Sequence, residues 1–229
     1  MADNVEDVLE QQRAFVADAS HQLRNPLAAL LLRIELLAFE LPEGNTEIAS
    51  VQTEGKRLAQ VLDDLLDLAL AEHTEADLRI TDIGELTAER VAAWTPTAEA
   101  KGVRLVGSCP PTTAWADPVT LSSALDAVID NAIKFTPKEE TVEVTVAADG
   151  DTSTVVVADR GPGLTDEELV RVGDRFWRSG RHQNIKGSGL GLSISRALLA
   201  AGGGSISYGH HEPHGLVVTV SVPRTRPTV

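Results

Sequence analysis

Apolar residues recur along the first third of the chain in alternating steps of three and four. From Leu23 they fall at Leu27, Leu30, Ile34, Leu37 and Leu41. That alternation keeps one stripe on one side of a helix and forms a heptad seam. The string LPEGNT then interrupts, with Pro42 and Gly44 breaking the helix and favouring a turn. A second seam follows at Ile48, Val51, Gly55, Leu58, Leu62, Leu65 and Ala69. Two helices joined by so short a connection predict an antiparallel hairpin. A lone hairpin buries its seam poorly. Pairing two hairpins into a four-helix bundle solves this, so a homodimer is expected.

The polar string AEHTEAD at 71–77 marks a junction, and beyond it the pattern changes. Short β-like runs appear at 78–80, 103–106, 142–147, 154–158, 205–208 and 216–222. Helical stretches fall between them near 84–100, 118–135 and 189–201. The mixture predicts an α/β sandwich, one sheet with helices on one face. Two domains are therefore expected, residues 1–73 and 74–229, with a frayed tail at PRTRPTV.

Composition narrows the chemistry. Of 229 residues, 42% are hydrophobic but only 3% aromatic, so aliphatic side chains must fill the core. A net charge of −14 argues against non-specific nucleic-acid binding, which needs Lys and Arg to neutralise phosphates. One cysteine, Cys109, excludes an intrachain disulfide and a multi-cysteine metal site. No apolar run approaches the roughly 20 residues that span a bilayer. The start, MADNVEDVLE, is acidic and lacks a signal-peptide core. The chain reads as soluble and cytoplasmic.

The first candidate chemistry lies on the first helix. With Leu30 and Leu37 at seam position d, His21 takes position b, Gln22 c and Asn25 f. All three face away from the seam. His21 and Asn25 are four residues apart and share a face. A neutral imidazole keeps one free ring lone pair and can accept a phosphoryl group. Pro26 removes the donor that the Gln22 carbonyl would use, so a bend is expected there.

The string FVADASHQLRNPLAAL strongly resembles the phosphoacceptor box of sensor histidine kinases. The resemblance implies a dimerisation and phosphotransfer domain in which His21 is phosphorylated and then passes the group to an aspartate of a response regulator. One departure matters here. The family usually carries an acid directly after the histidine, where this chain has Gln22. An amide oxygen can orient the ring but cannot act as a base. Asn25 fits the family pattern and implies a role in orienting water for dephosphorylation of the regulator.

The second constellation comes in four pieces. LDAVIDNAIKFTP (125–137) places Asn131 and Lys134 on a helix; an amide oxygen suits Mg²⁺ and a lysine suits phosphate. VADRGPGL (157–164) ends a strand at Asp159, followed by Gly161 and Gly163. A carboxylate there can accept the exocyclic amine of adenine. DRFWRS (174–179) carries Phe176, Trp177, Arg175 and Arg178 in a candidate mobile loop. KGSGLGLSISRALL (186–199) is a Gly-rich turn opening a helix, whose N–H groups suit phosphates. It is not a Walker A loop, because no GK[ST] follows.

In this order the pieces resemble the N, G1, F and G2 boxes of the histidine kinase ATP-binding domain, the Bergerat-type fold shared with gyrase-type ATPases. The resemblance spans about residues 11–222. It implies that ATP and Mg²⁺ are used, that Asn131 ligates the metal and that Lys134 contacts phosphate. Asp159 would bind the adenine amine, with Gly161 and Gly163 shaping the floor. Phe176 would anchor a lid, Arg178 would reach phosphate, and Gly187, Gly189, Leu190 and Gly191 would line the phosphates. One departure is Ala127, where the family commonly has a second Asn. Any membrane attachment would come through a sensor segment absent from this sequence.

His210, His211 and His214 cluster in YGHHEPHG. They form either a metal site or a hairpin turn between the last strands, and the Gly and Pro residues favour the turn. Two other functions compete with the kinase: a phosphatase-dominant or nucleotide-gated regulator of the same fold, and a chaperone-like or topoisomerase-like ATPase. An outward histidine on a heptad hairpin speaks against the latter.

Overall fold

The computed structural model describes residues 25–37, 46–71, 76–182 and 187–227. The chain divides into two compact units, Met1–His73 and Thr74–Val229.

In the first unit, α1 (25–37) and α2 (Thr46–Ala71) are the two predicted seam helices. Leu27, Leu31 and Ile34 of α1 are half-buried, as are Ile48, Gly55, Leu62 and Ala69 of α2. The helices approach closely at Gly55, where an added Cβ would stand 2.7 Å from Leu31 Cδ2. A side chain at position 55 would require Leu31 to shift. The alternate seam positions are uncovered: Leu30 and Leu37 are each 52% exposed, Val51 52% and Leu58 57%. A stripe of that kind is unfavourable in water unless something covers it. Among the described residues no helix is long and apolar enough to cross a membrane.

The second unit is built on a five-stranded sheet in the order β2-β4-β5-β7-β6. Its strands are β2 (Arg104–Ser108), β4 (Thr141–Asp149), β5 (Thr152–Ala158), β6 (Ser205–His210) and β7 (Leu216–Pro223). β2 and β4 run parallel, and every other pair is antiparallel. Buried positions alternate along the central strands, which are rich in β-branched residues, as pleating requires. Val142, Val144 and Val146 of β4 point inward with Val155 and Val157 of β5 and Val218, Val220 and Val222 of β7. Three helices lie over that face: α3 (Ile83–Lys101) over β2 and β4, α4 (Pro118–Phe135) over β5, and α6 (Gly191–Ala201) over β6. α4 is central and touches both neighbours.

Helix ends follow local chemistry. Asp82 caps α3 and Asp117 caps α4, each accepting two first-turn N–H groups, and Pro118 opens α4. Asp117 also accepts the N–H of Asp77 at 3.1 Å, tying the start of the unit to α4.

The structure corrects two expectations and adds one element. The run near 78–80 does not join the main sheet; β1 (Arg79–Asp82) pairs with a strand the sequence pattern did not show, β3 (Thr113–Ala116), in a separate two-stranded sheet. A short α5 (Asp166–Arg171) was also unmarked by periodicity, being too short for one, although its capping box, Thr165 with Glu168, is legible as T-x-x-E. The tail is tied down as far as its described residues go. Arg224 donates to the Asp151 and Gly150 carbonyls, and Arg226 stacks over Trp115 at 5.4 Å.

Candidate functional site

α4 turns one face to the core and another to the loops. Leu125, Val128, Ile129, Ala132 and Ile133 are buried. Ala127 and Asn131 are half-buried and Lys134 is exposed, all on one stripe. The Asn131 side chain makes no hydrogen bond to any described residue. A half-buried amide oxygen without a protein donor suits a hard cation that takes its remaining ligands from water and phosphate. Lys134 donates to Asp130, one turn back. The helix end is closed by Lys101, whose Nζ donates to the carbonyls of Ile133, Lys134 and Thr136 at 2.7, 2.6 and 2.9 Å. All three ammonium protons are thereby used. Desolvation holds the Lys101 pKa below its ordinary value.

β5 delivers Asp159 beside this helix. Asp159 is only 3% exposed. Its Oδ1 accepts the N–H of Gly161 at 2.8 Å and of Leu216 at 3.1 Å. Oδ2 accepts nothing from the described residues. Burial pushes the carboxyl pKa up, opposed by the two backbone donors and by the charges His211 and His214 carry when protonated. A Cβ on Gly161 would lie 2.9 Å from Asp159 Oδ1 and 3.0 Å from the Phe135 carbonyl, so this loop runs against the end of α4. The turn before β7 lies closer still. At Gly215, with φ +131°, a Cβ would stand 2.0 Å from the Asp159 carbonyl oxygen, and a Cβ on Gly163 would stand 3.1 Å from the Gly215 carbonyl oxygen.

The histidine cluster is part of that turn. His211 Nδ1 lies 2.7 Å from the Asp159 carbonyl, His214 Nδ1 lies 3.1 Å from the Gly161 carbonyl, and His210 Nε2 lies 2.8 Å from Asp166 Oδ1. The three rings serve three different acceptors.

The segment after α5 is pinned at both ends. Phe176 donates its N–H to the Gly189 carbonyl at 3.0 Å. Gly189 has φ +78°, and a Cβ there would strike Phe176 and the Trp177 carbonyl at 2.9 Å. Phe176 itself adopts φ +62° and is 53% exposed, a strained backbone state that the surrounding contacts must hold. Glu168 ties the middle: it accepts from the Ser179 hydroxyl at 2.6 Å, from Arg181 at 2.6 Å and from the Thr165 N–H at 3.0 Å. Ser179, then Thr165, lead the interactions that bring its pKa down to about 2. Arg178 is half-buried beside Ser179.

Gly187 is exposed, whereas Leu190 is completely buried. The Leu190 side chain is therefore packed away at the start of α6. No side chain caps α6, so its first-turn N–H groups are left for a ligand. A Cβ on Gly191 would meet Ala127 of α4 at 3.8 Å, a close packing that the small side chain at 127 permits.

One of the four sequence segments is thus the second half of α4, those with Gly161 and Gly191 border it, and the one around Phe176 is joined to them through Gly189. His21 and Gln22, with the bend expected at the Gln22 carbonyl, lie outside the described residues. Asn25 is exposed on α1 in the other unit. Sequence reasoning passed over Lys101, Glu168, Ser179 and the Leu216 amide. Only Glu168 left a readable signal, its capping box.

The chain matches two family profiles. Residues 11–74 match the His Kinase A (phospho-acceptor) domain. Residues 116–226 match the histidine kinase-, DNA gyrase B-, and HSP90-like ATPase. Among curated proteins, sensor histidine kinase RppB of Synechocystis sp. is 30% identical over 224 residues, covering 93% of this chain and 49% of that protein. Sensor protein QseC of Escherichia coli is likewise 30% identical, covering 93% of the chain and 48% of that protein. The chain spans about half the length of the curated relatives it matches. Among solved structures, full-length ShkA in complex with AMPPNP superposes with a TM-score of 0.74 at 27% identity, over 95% of this chain and 47% of that one. The mycobacterial sensor histidine kinase MprB gives a TM-score of 0.55 at 26% identity, over 66% of the chain and 99% of that structure. An acceptor-domain hairpin followed by this sandwich, matched by relatives over nearly all of its length, places the chain in the two-component sensor histidine kinases, of which it comprises the core.

Proposed function

We propose that this chain transfers the γ-phosphoryl group of ATP to His21 and from there to an aspartate of a response regulator. The observation that carries the ATP reading is the Asp159 carboxylate. One oxygen is fixed by two backbone donors, and the other has no partner among the described residues. That second oxygen is an acceptor of fixed direction at the floor of a glycine loop, which suits the exocyclic amine of adenine. The uncapped start of α6 suits the phosphates. Asn131 would hold Mg²⁺, which when bound supplies positive charge to the phosphate oxygens.

In the transfer, a ring nitrogen of His21 attacks the γ-phosphorus with its lone pair. The bond from that phosphorus to the β–γ bridging oxygen breaks, ADP leaves with the electron pair, and the ring proton is released. Gln22 can accept a hydrogen bond from the imidazole and orient it, but it cannot take the proton, which passes to another acceptor. Asn25 would orient water when the phosphorylated regulator is hydrolysed. The uncovered stripe with Leu30, Leu37, Val51 and Leu58 would be covered by the same stripe of a second copy, giving the homodimeric four-helix bundle. The core works on the cytoplasmic side, joined to a membrane-anchored sensor region.

The test is incubation with γ-labelled ATP and Mg²⁺. Acid-labile label is expected on the wild type and absent from His21→Ala and Asp159→Asn. Label that survives His21→Ala would overturn the assignment. Absence of label on the wild type despite ATP binding would leave a nucleotide-gated regulator without kinase activity.

A further inference from the structure

The turn between β6 and β7 folds back onto the loop that carries Asp159. The carbonyls of Asp159 and Gly161 each receive a ring nitrogen from it, His211 Nδ1 at 2.7 Å and His214 Nδ1 at 3.1 Å. A carbonyl only accepts, so both rings carry a proton on Nδ1, which fixes their tautomer in the neutral form. Arg160, between the two, donates in return to the Glu212 carbonyl at 2.9 Å. The Asp159 N–H donates to the Leu216 carbonyl at 3.0 Å, and the Leu216 N–H donates to the Asp159 carboxylate at 3.1 Å. One turn thus holds three successive residues of the loop and the side chain of the first.

We propose that His211 and His214 are positioning residues for base recognition, clamping the backbone on either side of Arg160 so that the Asp159 carboxylate keeps a single direction. The inference rests on the nucleotide reading above and specifies how its base-binding group is held. Asp159 sits one residue past the end of β5, and its bonds with Leu216 form the last rung before the chain turns into the loop. Rotation of the peptide after it would swing Oδ2 away from the base. The two imidazoles resist that rotation by occupying both carbonyls. Their removal leaves two part-buried acceptors unpaired, and a loop with unmet acceptors relaxes toward water. His210 has no share in this, since its partner Asp166 is exposed and belongs to the start of α5.

The test uses the full chain and compares ATP with inosine triphosphate, which carries an oxygen where adenine carries the amine. The ratio of the two dissociation constants reads how well the carboxylate is aimed. A role limited to stability would lower both affinities together and leave the ratio unchanged. Two double variants are needed: His211→Ala with His214→Ala, and His211→Asn with His214→Asn. An asparagine amide can take the place of Nδ1 and donate the same bond. The alanine pair is expected to lose roughly tenfold of the discrimination, as befits two neutral hydrogen bonds. The asparagine pair should stay within about threefold of wild type, less than the loss of one such bond. An unchanged ratio in the alanine pair, or an equal loss in both pairs, overturns the clamp. A wild type that binds neither nucleotide overturns the nucleotide reading itself, and the clamp with it.

Discussion

The Asp159 carboxylate accepts the backbone N–H of Leu216 across 57 positions of chain, on the same oxygen that accepts the N–H of Gly161. This arrangement predicts an asymmetric response to Asp159→Asn. The new amide must turn its oxygen to the two backbone donors, so its NH₂ takes the place of Oδ2 and meets the adenine amine donor to donor. ATP affinity should fall at least ~100-fold, as when a buried polar contact is replaced by a mismatch. Thermal stability should not fall. Burial raises the Asp159 pKa, so the folded state holds this proton more tightly than the unfolded chain, and the ionised group opposes folding at neutral pH. Wild type should therefore gain stability relative to Asp159→Asn as pH falls toward 3.8, the unfolded value. Calorimetric binding and melting curves at two pH values check both halves.

Glu168 has the opposite sign. Its folded pKa of about 2 lies below the ordinary 4.5, so its stabilisation is complete above about 4.5 and disappears as pH falls through about 2. Glu168→Gln should destabilise the chain by about 1 kcal/mol at neutral pH, since the Ser179 and Arg181 bonds lose their charge. The difference between the two proteins should vanish near the acid end of that window. Urea midpoints measured across the range would show it, and a pH-independent difference would contradict the assignment.

Lys101→Met keeps most of the apolar stem and removes the three donors at the end of α4. A loss of about 2–3 kcal/mol is expected in denaturant unfolding, because three carbonyls lose their partner at once. Lys101→Arg should recover part of it.

Two glycines with positive φ should behave differently. Gly215→Ala drives a methyl against the Asp159 carbonyl, backbone against backbone, and should cost more than about 3 kcal/mol or prevent folding. Gly150, at φ +54°, has nothing within 4 Å of its missing Cβ. Gly150→Asn should change stability by less than about 1 kcal/mol, because Asn tolerates that conformation. Melting temperatures of the two variants are a sufficient check.

The stalk helices and the alternating strands β4, β5 and β7 were legible because a repeated apolar period is written along each of them. The ATP-site segments were legible for another reason: Asn131, Asp159, Phe176 and Gly189 sit in short strings whose order along the chain has meaning. β3 was not legible, since four residues, Thr113–Ala116, are too few to show a period. The contacts of His211 and His214 were hidden because they depend on residues some 50 positions away, and a string such as YGHHEPHG gives no hint of its acceptors. Lys101 was hidden in the same way, on a helix whose exposed face is otherwise unremarkable in sequence.

The scarcity of aromatic side chains carries a practical benefit. The three tryptophans stand on three separate parts of the second unit. Trp94 on α3 is hydrogen-bonded to Asp126 at 2.7 Å, Trp115 on β3 lies under Arg226, and Trp177 sits near Arg171 in the segment between α5 and α6. Replacing the first two with phenylalanine leaves Trp177 as the lone tryptophan, excited selectively beside the single tyrosine, Tyr208. Its emission then tests, without any attached dye, whether that segment responds to added nucleotide.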